Sequence, residues 1–241
     1  MGCILLEGGG EFGGGMEVPD RRALELAGGL HAPINIIPAA AAPANDHHNA
    51  GKNGVKWFLS LGATNVNALP LIDRKSADDH GLAEKLRQSK MIYMLGGSPH
   101  YLEQCLRESA SWQAMLAAYE LGAVLGGSSA GAMVLCEHYY DPFKNEVYEG
   151  LGLISGACVI PHHDTFGQSW ISHLQRLLPG RLLIGIDEQT GTLNDGPQGQ
   201  WQLYGKGTVT LHQGQDTSIF GPGQYFDLAR KPTAGDSVAQ R

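Results

Sequence analysis

Short apolar runs alternate with longer amphipathic stretches from the start of the chain up to Cys136. Apolar runs bounded by glycine or proline predict buried strands, whereas apolar residues spaced three and four apart predict helices. The βα alternation predicts an α/β fold built on a doubly wound, mostly parallel sheet with flanking helices. The predicted strands are Cys3–Leu6, Pro33–Pro38, Asn65–Leu71, Met91–Leu95 and Ala123–Leu125. The predicted helices are Asp20–Ala27 (capped by Asp20), Asn49–Leu61, Ala77–Gln88, Tyr101–Glu108, Ser111–Leu121 and Ala130–Cys136, and the predicted loop is Ala39–Asn45.

The pattern changes after Asp141, where the apolar runs are short and glycine-containing turns divide them. Strands joined in this way favour antiparallel pairing, so we expect antiparallel additions at the edge of the sheet. No repeat or linker is visible, which predicts a single domain over residues 1–241 with a frayed polar tail at 231–241. The predicted strands of this part are Cys158–Ile160, Leu182–Ile186, Thr190–Leu193, Trp201–Tyr204, Thr208–Leu211 and Thr217–Phe220.

Composition and charge narrow the classes of function. Of the 241 residues, 42% are hydrophobic, which is enough for the core of one large α/β domain. The net charge of −7 and the lack of a basic stripe argue against a nucleic-acid partner. No apolar run approaches the ~18 residues of a membrane span and no signal-peptide pattern is present, so we expect a cytoplasmic protein without a membrane partner. The four cysteines stand singly, which is typical of free thiols.

The most specific chemical motif lies where the fifth predicted strand meets the next helix. The segment Gly127-Ser128-Ser129-Ala130-Gly131 fits the Gly-x-Ser-x-Gly nucleophile elbow, with Ser129 as the nucleophile. A sharp strand-to-helix turn strains the serine backbone and therefore requires small neighbours. The turn also places Oγ at a helix N-terminus, where N–H groups stabilise an oxyanion. The alternative interpretation is a loop that only turns the chain or holds a phosphate.

A serine nucleophile requires a general base. The chain has ten histidines, and His162 follows a predicted strand that ends in Pro161. That position lies at a sheet edge, where an elbow on a neighbouring strand can meet the imidazole. His163 is the second choice, because alternation along a strand turns it to the opposite face.

Several carboxylates compete for the role of the acid that orients the histidine. Asp187 and Glu188 follow the predicted strand Leu182–Ile186, and a period of two sends them to opposite faces, so that only one meets the histidine. Asp141 and Asp164 are further candidates. A turn cap is the structural alternative for either of the two strand-end carboxylates.

An oxyanion hole requires a second N–H donor besides that of Ala130. Gly96-Gly97, at the end of the fourth predicted strand, is the natural supplier, because glycine lets the backbone approach a substrate closely. An ordinary βα turn is the alternative interpretation of this glycine pair.

Together these motifs resemble peptidase family S51, which includes dipeptidase E and cyanophycinase. The resemblance implies a class I glutamine amidotransferase-like fold with serine in place of that enzyme's cysteine. The order of nucleophile before histidine also matches, whereas an α/β-hydrolase runs serine, acid, histidine. The resemblance rests on Gly8-Gly9-Gly10, the strand ending in Gly96-Gly97, the Gly-x-Ser-Ala-Gly-Ala elbow, a histidine after a strand, and Gly-Ile-Asp-Glu-x-Thr at 185–190.

The resemblance implies a role for each candidate residue. Glu188 matches the acid of the cyanophycinase branch, whereas the dipeptidase E branch points to Asp141, and Asp187 stays a further alternative. The implied assignments are Ser129 as nucleophile, His162 as general base, Glu188 as acid, and the amides of Gly97 and Ala130 as the oxyanion hole.

Departures from the cyanophycinase pattern fall where a substrate is expected to bind. The chain has Gly96-Gly97-Ser98-Pro99 where cyanophycinase has Gly-Gly-Asp-Gln, and Ile160-Pro161-His162-His163 where it has Asp-Gln-His-Phe. We therefore do not carry over the β-aspartyl-arginine polymer as substrate. The candidate substrate-binding residues are Gly96, Ser98 and His163.

We thus expect a serine peptidase or amidohydrolase that cleaves a small peptide or isopeptide-like amide, without metal or organic cofactor, in a chain that pairs as a homodimer. The first alternative is a catalytically silent relative that binds a small acidic or amide ligand at the same loops. The second is a metal hydrolase, and its ligands would be His162, His163, Asp164 and His47 or His48.

Overall fold

The computed structural model describes residues 1–228, and the predicted tail at 231–241 lies outside the described residues. Within residues 1–228 the chain forms two β-sheets with helices around them. The strands are β1 (Ile4–Glu7), β2 (Ile34–Ile37), β3 (Val66–Ala68), β4 (Met91–Met94), β5 (Val124–Ser128), β6 (Cys136–Asp141), β7 (Glu146–Glu149), β8 (Ile154–Ile160), β9 (Leu182–Ile186), β10 (Thr190–Leu193), β11 (Trp201–Gly205), β12 (Val209–Gln213), β13 (Asp216–Phe220) and β14 (Tyr225–Phe226). The helices are α1 (Glu17–Leu26), α2 (His47–Ser60), α3 (Arg74–Ala77), α4 (His80–Arg87), α5 (Pro99–Leu106), α6 (Ala110–Glu120), α7 (Ala130–Leu135) and α8 (Ile171–Leu177).

The larger sheet has eight strands in the order β14-β11-β10-β1-β5-β4-β2-β3. Strands β1 to β5 are parallel, as the βα alternation predicts, and β10, β11 and β14 extend the sheet antiparallel from β1. The register pairs Glu7 with Ser128 and Met94 with Gly127. The loops that follow β1, β4 and β5 therefore leave the sheet side by side at its carboxyl edge, where α/β folds bind ligands.

The predicted antiparallel additions are β10, β11 and β14, but the other C-terminal strands form a separate second sheet, ordered β13-β12-β9-β8-β6-β7. Its centre is parallel, since β8 pairs in parallel with both β6 and β9. The reason is a helix that the sequence pattern did not reveal: α8 lies between β8 and β9, so that the chain returns to run in the same direction. Strands β6 and β7 were also not predicted.

Alternation along the strands divides the apolar side chains between two cores. Leu6 and Met94 join a core that continues through β8 and β9 of the second sheet. Leu5 and Tyr93, their neighbours in sequence, face the opposite core beneath α1 and α2. Both faces of β1, β2, β4 and β5 are buried, as is usual for parallel sheets, whereas the edge strand β3 is largely exposed. Within residues 1–228, no helix combines the length and the apolar character that a membrane crossing requires.

Three local predictions in the first half need correction. The helix predicted from Asp20 begins at Glu17, so Asp20 lies inside α1, where its carboxylate accepts a hydrogen bond of 2.7 Å from Trp57 Nε1 instead of capping the helix. The helix predicted over Ala77–Gln88 begins only at His80, as α4, and Ala77 ends the separate short helix α3, because Asp73 and Asp79 each cap a separate N-terminus. The predicted loop at 39–45 contains a 3₁₀ helix, Ala39–Ala44.

Candidate active site

Ser129 occupies the turn between β5 and α7 in a strained conformation, with φ 48° and ψ −111°. The turn depends on glycines, because a Cβ on Gly127 would lie 2.3 Å from the carbonyl carbon of Gly131, and one on Gly131 would lie 2.4 Å from the Met94 oxygen. The Ser129 N–H donates to the backbone carbonyl oxygen of Glu7 at 3.0 Å, which attaches the turn to β1. The half-buried serine is thus presented above the carboxyl edge of the sheet.

His162 follows β8 and reaches the elbow from the second sheet. Its Nε2 lies 3.1 Å from Ser129 Oγ. The backbone is in the left-handed region, with φ 51°, and its N–H donates to the Gly8 oxygen at 2.7 Å. The ring stacks on Phe166, with 4.7 Å between centroids and 26° between planes. Neighbours on both sides therefore fix the imidazole against the serine.

Glu188 follows β9 and lies on the far side of the same imidazole. Its Oε1 is 2.8 Å from His162 Nδ1. The Glu188 N–H donates to Asp164 Oδ1 at 2.9 Å, and the next N–H, of Gln189, donates to the Gly9 oxygen at 2.9 Å. The glycine-rich loop after β1 therefore holds the backbone at His162 and the backbone next to Glu188, through the carbonyl oxygens of Gly8 and Gly9.

The neighbouring residues His163 and Asp187 face away from the serine, as a period of two requires. His163 Nδ1 lies 3.4 Å from Asp187 Oδ1, and its Nε2 lies 3.3 Å from His212 Nε2. Asp187 Oδ2 accepts from the Thr208 N–H and hydroxyl at 2.7 and 2.8 Å. Burial, and then the charge of His163, lower the pKa of His212. The structure thus places His163, a candidate substrate-binding residue, in a buried polar cluster, and His163 does not line the cavity beside Gly96 and Ser98.

The other candidate acid, Asp141, ends β6 and is buried, where Oδ1 accepts from the Phe143 N–H at 2.9 Å. It lines a cavity instead of contacting His162. Asp164 supports the Glu188 backbone, so neither carboxylate holds the imidazole. Within residues 1–228 no group of three or more histidine, cysteine or acidic side chains is arranged to hold a metal ion.

The two expected oxyanion donors belong to the turns that follow the neighbouring strands β4 and β5. Gly97 has φ 138°, and a Cβ there would lie 2.3 Å from the Ala40 oxygen, so only glycine fits this turn. Ala130 is the first residue of α7. Among residues 1–228, neither the Gly97 N–H nor the Ala130 N–H has a hydrogen-bond acceptor, so both amides are available to a substrate oxygen.

Two acidic features were missed by the sequence analysis. Glu11, in the glycine-rich loop, accepts from Ser128 Oγ at 2.7 Å and from the Gly96 N–H at 3.4 Å. Below it, Glu7 and Asp20 are fully buried, and Tyr93 donates to Glu7. Burial raises the pKa of Glu7 well above its usual range and that of Asp20 to about 7. The sequence offered one indication of Glu11, namely an acidic residue within the glycine-rich segment 8–15.

A cavity of about 800 Å³ opens beside the elbow. The predicted substrate residues Gly96 and Ser98 line it, together with Glu11. Ser98 also caps α5, since its Oγ accepts from the Tyr101 N–H at 3.3 Å. The remaining lining is mostly apolar and comes from the segment at 40–50, α5 and the β6–β7 turn. Ser129 is not among the lining residues, but a Cβ built on Gly96 would lie 3.4 Å from Ser129 Cβ, so the cavity adjoins the glycine turn that faces the serine.

The fold and the site define an α/β protein in which a strained serine, a histidine and a carboxylate meet at the sheet edge. The chain belongs to peptidase family S51, whose model matches residues 4–198. Cyanophycinase from Geminocystis herdmanii (strain PCC 6308) is 30% identical over 215 residues, 85% of this chain and 78% of that protein. Cyanophycinase from Synechococcus elongatus is 28% identical over 237 residues, covering 90% and 70%.

Solved structures agree with this family membership. A peptidase from an acI-B1 Actinobacterium superposes with a TM-score of 0.83 and 30% identity, over 94% of this chain and 96% of that one. A putative peptidase E from Listeria monocytogenes EGD-e has a TM-score of 0.58 and 18% identity, over 91% and 98%, and supports the fold alone.

Proposed function

We propose that the chain is a serine peptidase or amidohydrolase that cleaves a small peptide or isopeptide-like amide through an acyl-enzyme on Ser129. The observation that carries the proposal is the unbroken contact from Ser129 Oγ to His162 Nε2 and from His162 Nδ1 to Glu188. Membership of a peptidase family and the likeness to cyanophycinases support it. The substrate class is argued from the size of the cavity.

In the first half of the reaction, Ser129 Oγ attacks the carbonyl carbon of the scissile amide while its proton passes to His162 Nε2. The carbonyl oxygen becomes an oxyanion, which the N–H groups of Gly97 and Ala130 stabilise. Collapse of the tetrahedral intermediate breaks the C–N bond, and the leaving amine takes the proton from His162. The acyl group stays esterified to Ser129.

In the second half, water attacks the ester and transfers a proton to His162, which returns it to Ser129 Oγ as the acid product leaves. Glu188 accepts a hydrogen bond from His162 Nδ1–H throughout. It keeps the proton on Nδ1, so that Nε2 is free to act as base, and it stabilises the imidazolium between the two transfers.

The proposal is tested by treating the purified protein with an alkyl fluorophosphonate and locating the adduct by mass spectrometry. We expect a single adduct on Ser129 and at least about 10³-fold slower labelling in His162→Ala, because the base no longer removes the serine proton. His31→Ala is the matched control, since His31 is exposed and its ring bonds Thr64. It should label like the wild type.

Each other outcome has a definite meaning. An adduct on Ser128, or labelling that is indifferent to His162→Ala, contradicts the proposed triad. A protein that takes up no label points instead to a silent relative that binds a ligand at these loops. Loss of amide-hydrolysing activity in the presence of a chelator supports the metal-hydrolase alternative.

A further inference from the structure

Glu11 places a carboxylate in contact with the residues that flank the nucleophile and the expected oxyanion donor. Its two oxygens accept from Ser128 Oγ, beside the nucleophile, and from the Gly96 N–H, beside the Gly97 donor. A Cβ built on Gly96 would lie 3.0 Å from Glu11 Oε1 and 3.4 Å from Ser129 Cβ. The carboxylate and the serine thus face each other across the small gap that glycine leaves at position 96.

The charge of Glu11 has no partner in the described part of the protein. Within residues 1–228, no lysine, arginine or histidine nitrogen lies within 4.0 Å of its carboxylate. A carboxylate has about four lone-pair sites, and two donors satisfy only half of them. The residue is half-buried, so its remaining acceptor capacity is open to the cavity.

An unpaired carboxylate next to the nucleophile opposes the proposed chemistry unless something neutralises it. The tetrahedral intermediate is an oxyanion, and a like charge nearby raises its energy in a partly desolvated site. A cation bound at Glu11 removes this repulsion. The cavity lining is suited to such a ligand, because Ala40, Ala41 and Pro43 offer an apolar wall for a carbon stem that leads to the charged group.

The other charged residues that line the cavity do not take over the binding of a cation from Glu11. Asp46 and Asp141 also line it, so that its carboxylates outnumber its one lysine, Lys144. The Lys144 ammonium lies over the Tyr148 ring, 5.4 Å from the centroid. Asp141 already accepts from a backbone N–H.

We infer that Glu11 is a specificity-determining residue that selects substrates carrying a protonated amine at the end of a short carbon stem near the scissile bond. The inference rests on the proposed function, since it assigns a subsite to the same serine. Glu11 binds the ammonium group directly, and the oxyanion then forms beside a neutral pair instead of beside a lone carboxylate.

The test compares two fluorophosphonates that differ only in charge, one with a 4-aminobutyl tail and one with a 4-hydroxybutyl tail. We expect the wild type to react about 10- to 100-fold faster with the aminobutyl probe, the range typical of a charge-assisted hydrogen bond. Glu11→Gln should abolish the preference, because the amide keeps an acceptor for Ser128 but carries no charge. Asp46→Asn, which removes a carboxylate from the same cavity, should retain it.

The outcomes separate this inference from the proposed function. The role of Glu11 is overturned if both probes react equally at Ser129. It is also overturned if the preference for the aminobutyl probe survives Glu11→Gln and disappears in Asp46→Asn. In either case the serine mechanism stands. If neither probe labels Ser129, the proposed function fails, and binding of n-butylammonium against n-butanol, followed by NMR, tests Glu11 by itself. Chemical-shift changes at Gly96 with the ammonium only, absent in Glu11→Gln, support the subsite. Equal or absent changes overturn it.

Discussion

Gly9 gives the sharpest test of how the histidine is held. A Cβ on this residue would lie 2.2, 2.7 and 2.8 Å from Cε1, Nδ1 and Nε2 of His162, well inside van der Waals contact. Since carbon atoms pack at about 3.5–4.0 Å, Gly9→Ala must displace the ring by more than about 1 Å. A displacement of that size from the productive geometry costs about 10²-fold in rate. We therefore expect the fluorophosphonate labelling rate of Gly9→Ala to fall about 100-fold.

The matched control is Gly28→Ala. Gly9 has φ +114° and Gly28 has φ +103°, so alanine is strained by about 1–2 kcal/mol at either position. A Cβ on Gly28 meets nothing within 4 Å, so this variant carries the backbone strain without displacing the histidine. We expect similar losses of thermal stability in the two variants, but wild-type labelling in Gly28→Ala. Wild-type labelling in a folded Gly9→Ala refutes the argument that His162 must stay in its present position.

Three further predictions concern the carboxylates and the aromatic neighbour. Glu188→Gln should slow labelling by about 10³- to 10⁴-fold, because His162 loses the partner that fixes its tautomer. Asp187→Asn should label like the wild type. If Asp187→Asn is the slower variant instead, Glu188 is not the acid that orients His162. Burial raises the pKa of Asp20 from 3.8 to about 7, so the unfolded state ionises first and stability falls by up to about 4 kcal/mol as the pH rises through that window. Asp20→Asn should make this slope shallower in urea denaturation between pH 4 and 8 without removing it, because the pKa of buried Glu7 is also raised, and an unchanged slope would show that Asp20 does not contribute. Phe166→Ala should reduce the labelling rate about two- to tenfold, since it removes an aromatic stack worth about 0.5–1.5 kcal/mol, and an unchanged rate would mean that the stack does not hold His162.

Much of the fold followed from local pattern. The parallel strands of the first half were predicted because buried parallel strands form near-continuous apolar runs ended by glycine. The second sheet was less visible, since β6 continues directly from α7 and α8 has few buried positions to mark its period. Its parallel centre depends on where that helix returns the chain, which the residues of β8 and β9 do not encode by themselves.

Candidate site residues were predicted to different degrees. Ser129 was predictable because a strained turn between a strand and a helix tolerates only small neighbours, and these neighbours are adjacent to Ser129 in the sequence. Of the paired choices, His162 or His163 and Asp187 or Glu188, alternation showed only that one member of each faces the serine. Glu11 escaped notice because its neighbours at Ser128 and Gly96 are 117 and 85 positions away along the chain.

The sequence by itself determined the features that depend on neighbouring residues: the alternation of strands and helices, the elbow at Ser129 and the glycines that let backbones approach closely. The tertiary structure decided which partners meet across the two sheets. It paired His162 with Glu188 and His163 with Asp187, and it brought Glu11 beside the serine. The physical reason is that strand register and loop closure, which link distant residues, set which face of a strand end points into the site.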